Sequence, residues 1–254
     1  MERNNPTEGN GLEGSWNYLK LKIKKIIKTS LIDWEGKIVS TLYVPHCNFR
    51  CPFCYNCDLI LDPESIKDIS LEKINDYLYE RKDFIDGICM SGGEPTLFSE
   101  LPEYFQFLKE QGYSIKLDTN GTNPRILKKI IDSKLVDYIA MDIKSALTFP
   151  EYSKASGIKD PGLLHKVKKS IDIIMQSEVD YEFRTTVVPK LHNDTTIINI
   201  SKYIFGAKKY ILQNFSPQER MLDITYKKIV PYSELVMQNY LRLTKKYIVN
   251  SFWR

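Results

Sequence analysis

Histidine and cysteine are scarce in this chain: 3 histidines and 5 cysteines in 254 residues. Four of the five cysteines crowd into one stretch, at Cys47, Cys51, Cys54 and Cys57, and only Cys89 stands apart. So few thiols, so placed, exclude a disulfide framework spread through the fold and point to metal or redox ligation. Long apolar runs are also missing. None approaches the roughly 20 residues that a membrane-spanning helix needs. The first 14 residues, with Glu2, Glu8 and Glu13, lack the apolar stretch of a secretory signal, so the expected location is the cytoplasm. Charge of one sign is not in excess. Lys and Arg number 36 against 32 Asp and Glu, a net +4, which gives no charge argument for nucleic acid. Internal repeats and low-complexity tracts are absent too.

What remains is an ordinary globular composition, 43% hydrophobic and 27% charged, in a length that suits one large α/β domain. Residues 1–14 read as a polar, mobile tail. Over 15–28, apolar Leu19, Leu21, Ile23, Ile26 and Ile27 interleave with five lysines. This pattern looks helical: a surface helix or strand with a solvated lysine face, or a docking element for an acidic partner. Apolar runs then predict strands at 38–44, 87–90, 114–117, 138–143, 181–188 and 209–214. Helical periodicity fills the intervals from about 70, at 100–111, 124–133, 161–176 and 195–205, with a last helix at 232–249. Six strands alternating with helices imply parallel βαβ units. An open six-stranded barrel and a doubly wound sheet both fit this pattern.

In either architecture the chemistry collects at the carboxyl ends of the strands, and there the polar residues fall. Cys47, Cys51 and Cys54, spaced C-x3-C-x2-C, follow the first strand. Ser91-Gly92-Gly93-Glu94-Pro95 follows the second, Asp118 and Thr119 end the third, Asp142 and Lys144 end the fourth, and Arg184 lies on the fifth. Thiolates suit zinc or an iron–sulfur cluster. A structural zinc site normally draws two separated ligand pairs, and no second pair exists here. Three cysteines in a short loop can hold three irons of a [4Fe–4S] cluster and leave the fourth open. The spacing alone also permits a site closed by Cys57, or a ligand at His46. Glycines at 92 and 93 let the backbone approach a ligand closely, and Glu94 offers a carboxylate to an ammonium group. Lys144 and Arg184 read as partners for a ligand carboxylate or for Asp118 and Asp142 themselves.

The pairing of Cys47-Asn48-Phe49-Arg50-Cys51-Pro52-Phe53-Cys54 with Ser91-Gly92-Gly93-Glu94-Pro95 resembles the radical S-adenosylmethionine (SAM) superfamily. Lys28 to Lys37, Asp118-Thr119-Asn120-Gly121, Met141-Asp142-Ile143-Lys144 and Arg184-Thr185-Thr186-Val187-Val188-Pro189 are similar to glycyl-radical-enzyme activases, most of all to those of anaerobic ribonucleoside-triphosphate reductase. The resemblance spans about 28–217. It implies a partial (β/α)6 barrel over 37–217, between an N-terminal extension (1–36) and a C-terminal helical extension (218–254). It implies a [4Fe–4S] cluster on Cys47, Cys51 and Cys54, with Cys57 free and SAM on the open iron. Gly92, Gly93 and Glu94 would hold the methionine amine, Phe53 would lie against the adenine, and Asn56 would line the site. Lys144 and Arg184 would bind the carboxylate, and Asp118, Thr119 and Asp142 would form a monovalent-cation site.

The implied reaction is reductive cleavage of SAM to a 5′-deoxyadenosyl radical that takes hydrogen from a glycine of a partner enzyme, with reduced ferredoxin or flavodoxin as electron donor. Two departures stand out. Cys54-Tyr55-Asn56 replaces the frequent Cys-His-Asn, and Asn214-Phe215-Ser216-Pro217 stands where a relative carries a SAM-contacting histidine. A small-molecule radical SAM enzyme, of the deazaguanine-synthase kind, is the alternative. A zinc-binding or redox-sensing interaction protein is a remoter one.

Overall fold

The computed structural model describes residues 21–254. The expected polar tail, and the start of the amphipathic segment after it, lie outside these residues. One eight-stranded sheet organises the described residues: β1 (Lys25–Ser30), β2 (Val39–Val44), β3 (Gly87–Gly92), β4 (Ser114–Thr119), β5 (Tyr138–Asp142), β6 (Asp180–Val187), β7 (Tyr210–Asn214) and β8 (Ser251–Trp253). Its order in space is its order in sequence. β1 runs antiparallel to β2, and every later neighbour is parallel. A doubly wound sheet would reverse direction at a switch point. The monotonic order here is that of barrel winding, left open with β1 and β8 as edges. The six predicted strands are β2–β7, the staves of the partial barrel.

The helices are α1 (Cys57–Leu61), α2 (Leu71–Glu80), α3 (Leu101–Glu110), α4 (Pro124–Asp132), α5 (Phe149–Ser156), α6 (Pro161–Gln176), α7 (Asp194–Tyr203) and α8 (Glu234–Thr244). Local chemistry sets their starts. Ser70 caps α2 by accepting the Lys73 amide, Asn123 caps α4 through Ile126, Asp160 caps α6 through Gly162 and Asn193 caps α7 through Thr196. Their apolar stripes pack Leu78, Leu108, Leu127, Val167, Ile200 and Met237 against Leu42, Met90, Leu117 and Ile139 of the sheet, all in one core. Each such side chain contributes about 1.5–3 kcal/mol by leaving water.

Of the surface helix or strand expected up to residue 28, the structure shows the strand from Lys25 on, as the edge strand β1. Its backbone pairs with β2 from Lys25↔Tyr43 to Ser30↔Val39, with an irregularity after Ile27. Tertiary pairing overrides the lysine-rich periodicity. The C-terminal segment is likewise not purely helical: it returns as β8 beside β7. Both flanking segments thus contribute strands to the one sheet.

The other face of the sheet is polar, with Lys116, Glu182 and Arg184 all buried. The loop between β1 and β2 fills part of it. Ser30 Oγ accepts the amides of Ile32 (3.3 Å) and Asp33 (3.2 Å), fixing a turn. Thr41 donates to the Asp33 carboxylate at 2.6 Å, and the Lys116 ammonium donates to the Asp33 carbonyl. Trp34 is then buried on Val39, Cys89 and Tyr138, and Lys37 sits 4.8 Å over its ring. Ile32 and Asp33 of this loop line the cavity at the carboxyl ends of the strands.

Candidate radical SAM site

β2 stops at Val44, and the chain turns at His46, whose φ of +63° lies in the left-handed region. The turn is held by β3. The Gly93 amide donates to Val44 O at 2.9 Å and the Glu94 amide to His46 O at 2.8 Å. A Cβ on Gly93 would stand 1.7 Å from His46 O; one on Gly92, at φ +118°, would stand 2.4 Å from Val44 N and O. The two glycines are therefore required first by backbone packed on backbone, and that contact sets where the cysteine loop begins.

Three further ties hold the loop. Asn120 Nδ2 donates to Asn48 Oδ1 at 2.9 Å and reaches Cys47 Sγ at 3.7 Å, and Asn48 donates to Thr122 at 2.8 Å. The Arg50 amide donates to Ser156 O at 2.7 Å, at the end of α5. Gly157 follows with φ +72°, where a Cβ would meet Arg50 O at 2.6 Å. From the other side, the amides of Leu222 and Asp223 donate to Cys54 O and Pro52 O, both at 2.9 Å. Neither α5 nor the 222–223 strap has a sequence signal that reveals this role.

The loop forms one wall of a cavity of about 590 Å³, within the range of small-ligand sites. Cys47, Cys51, Cys54, Phe53 and Asn56 line it, and so do Gly92, Gly93, Glu94, Asp118, Thr119, Asp142, Lys144 and Arg184. The three cysteines and the ten residues expected to hold SAM or a cation thus meet in one place. Cys57 does not: it opens α1, buried, with its thiol toward Asp58 at 3.9 Å. His46 is outside the lining as well. Gln213, which the sequence reading missed, completes the walls with Ser91, Asn120, Asn214 and Ser216, which it quotes in its motifs without a role of their own.

Burial, with the nearby Glu94 charge adding to it, pushes the Cys47 thiol up to about 11; burial pushes Cys51 up to about 12 and raises Cys54 as well. Thiols that resist ionisation at neutral pH become thiolates when a metal compensates the charge. Among the described residues, no three His, Cys, Asp or Glu side chains converge enough to hold a single metal ion. A tetrahedral zinc would draw sulfurs to within about 4 Å of one another. A cluster that offers each thiolate a different iron needs no such convergence, and three soft donors on one cavity wall fit it.

Glu94 is fully buried. Its Oε1 accepts from Thr96 N (3.0 Å), Thr96 Oγ1 (2.5 Å) and Thr119 Oγ1 (2.7 Å), and Oε2 from Asn120 N (2.6 Å). Burial raises its pKa against these bonds. Oε1 is thereby saturated, and Oε2 keeps acceptor capacity toward the cavity.

The strand-end charges form a chain. Lys116 meets Asp118 at 3.1 Å, Arg184 meets Asp118 at 3.4 Å and Asp142 at 2.8 Å, and Lys144 meets Asp142 at 2.9 Å. Burial pushes the Asp142 carboxyl up, but Arg184 and Lys144 outweigh it and hold it well below the usual range; Asp118 is lowered too, by Arg184 and Lys116 against burial. Asp118, Thr119 and Asp142, the residues expected to hold a monovalent cation, all line the cavity. Three protein cations already surround the two carboxylates, and the Thr119 hydroxyl is committed to Glu94.

A model of the radical SAM superfamily matches residues 41–202. The chain belongs to the radical SAM superfamily. A protein of Methanocaldococcus jannaschii, provisionally named a glycyl-radical enzyme activating enzyme, is 33% identical over 236 residues, 91% of this chain and 95% of its own. The 7-carboxy-7-deazaguanine synthase of Aquifex aeolicus is 37% identical over 97 residues, only 36% of this chain and 42% of that one. A radical SAM methyltransferase from Sphaerobacter thermophilus shares the fold, with a TM-score of 0.64 at 12% identity, over 87% of this chain and 67% of its own. The chain is thus a radical SAM enzyme, of a superfamily that carries a [4Fe–4S] cluster on three cysteines and uses SAM. Among the described residues no helix is long and apolar enough to cross a membrane.

Proposed function

We propose that this radical SAM enzyme is an activase, which places a glycyl radical on a partner enzyme in the cytoplasm. Anaerobic ribonucleoside-triphosphate reductase is the partner its motifs resemble most. The carrying observation is the nearly end-to-end match to the provisionally named activating enzyme. The deazaguanine synthase match covers little more than a third of the chain.

Cys47, Cys51 and Cys54 hold the cluster, with Cys57 outside it. Bound there and reduced by a ferredoxin or flavodoxin, a [4Fe–4S] cluster would supply the electron for reductive cleavage of SAM. The chain's own residues bind and orient. The free lone pair of Glu94, beside Gly92 and Gly93, takes the methionine ammonium. Lys144 and Arg184 face its carboxylate, already ordered by Asp142. Phe53 supplies an apolar wall for the adenine, next to Asn56. Asp118, Thr119 and Asp142 support these side chains from behind.

Anaerobic reconstitution with iron and sulfide, reduction, and addition of SAM tests this reading. Methionine and 5′-deoxyadenosine should form. Adding the anaerobic reductase should yield a glycyl radical signal by electron paramagnetic resonance. SAM cleavage with no such signal from any candidate glycyl radical enzyme would transfer the reading to a small-molecule substrate.

A further inference from the structure

His192 lies in the turn between β6 and α7, 2% exposed, away from the cysteine loop. Its ring has two partners. Val188 N–H donates to Nδ1 at 2.9 Å, and Nε2 is 2.8 Å from the carbonyl of Lys144. A backbone amide can only donate and a carbonyl can only accept, so one tautomer satisfies both: Nδ1 bare, Nε2 protonated. Burial lowers the histidine's pKa and keeps that neutral form.

The residue so held is Lys144, on the cavity wall. Its amide faces Tyr152 Oη at 3.5 Å, and its carbonyl is fixed by His192. The tie continues outward. Tyr232 Oη donates to the His192 carbonyl at 2.6 Å, and Asn214 Nδ2 donates to the Tyr232 carbonyl at 2.9 Å. Tyr232 is itself set edge-on against Tyr240, 5.4 Å between centroids. Asn214 also lines the cavity. A bonded path thus runs from the β5 wall to the β7 wall through one imidazole and one phenol.

We infer that His192 is a positioning residue for SAM binding, which sets Lys144 through its backbone and, with Tyr232, fixes the spacing between the Lys144 and Asn214 walls. This rests on the placement of Lys144 at the SAM carboxylate, and the test separates the two. The SAM dissociation constant is measured on reconstituted holoprotein of matched iron content for the wild type, Lys144→Ala, His192→Ala and His192→Gln. His192→Ala should weaken SAM binding about tenfold, the scale of one buried hydrogen bond and its orphaned carbonyl. His192→Gln places an amide N–H near the Nε2 position and should recover most of that loss, which a general packing defect would not. If Lys144→Ala binds SAM like the wild type, the placement of Lys144 is wrong. If Lys144→Ala is weakened while His192→Ala is not, or if Gln is as damaging as Ala, the positioning role is overturned. Should His192→Ala fail to fold, Tyr232→Phe removes only the hydroxyl on the His192 carbonyl. It should weaken binding about threefold, and unchanged binding would refute the path between the walls.

Discussion

Individual side chains at this site serve two structures at once, the cavity and the frame behind it. Gly93 is the sharpest case. Its missing Cβ leaves room for the His46 carbonyl, the hinge of the cysteine loop. Gly93→Ala should therefore cost more than about 2 kcal/mol in denaturant unfolding and abolish cluster retention. Gly112→Ala, at φ +88° but with nothing within 4 Å of the added Cβ, should cost about 1 kcal/mol and keep the cluster. Cysteine variants separate the two spacings that the sequence left open. Cys51→Ala should lose the iron and its visible absorbance, and Cys57→Ala should keep both; the reverse would reassign the ligands. The charged chain makes a pH prediction. Asp142 is held below its ordinary value of 3.8 by Arg184 and Lys144 against burial. A lowered carboxyl stabilises the fold above its unfolded pKa, and that contribution fades as the pH falls through the folded one. Stability from Asp142 should thus be level from pH 7 to about 4 and decline below. In Asp142→Asn, urea titrations across that range should show a smaller acid-side slope.

At the level of elements, the loop between β1 and β2 is the part whose role was least readable. Lys28 to Lys37 resembles the activase family, yet nothing in the periodicity says that Trp34 enters the barrel while Leu31 and Ile32 stay exposed. Trp34→Ala should destabilise the protein by about 3–5 kcal/mol, seen as a lowered urea midpoint, since the cavity left on Val39 and Cys89 cannot collapse onto a rigid sheet. The strands and long helices were legible because period-2 and period-3.6 patterns are strong over five residues or more: α6 falls at 161–176 as expected. β8, three residues long, and α5, eight, carry too little pattern. β1 is ambiguous between helix and strand in the sequence because its lysines alternate irregularly and its pairing partner lies elsewhere in the chain. The cysteines and Gly92-Gly93-Glu94 were legible because chemistry restricts residue type there. Asn120, Asn214 and His192 were not, because any polar side chain of the right reach satisfies a hydrogen bond, and reach is known only in three dimensions.

Across the whole molecule, an open barrel places its reactive loop on one rim and ties that rim together from every side. α5 holds Arg50, the 222–223 strap holds Pro52 and Cys54, and β3 and β4 hold His46 and Asn48. The residues after 217 are part of this frame, since they supply the strap, Tyr232 and β8. A site so constrained suits a reaction in which a reactive carbon centre must meet one hydrogen and no other. The central claim is that this hydrogen comes from a glycine of a partner protein. The most direct measurement uses the anaerobic reductase labelled with deuterium at glycine Cα, incubated with the reduced holoprotein and SAM, and analyses the 5′-deoxyadenosine by mass spectrometry. One deuterium in the nucleoside, formed together with the glycyl radical signal, is the result predicted. Nucleoside that remains unlabelled while a small-molecule donor passes on its own deuterium would contradict the account.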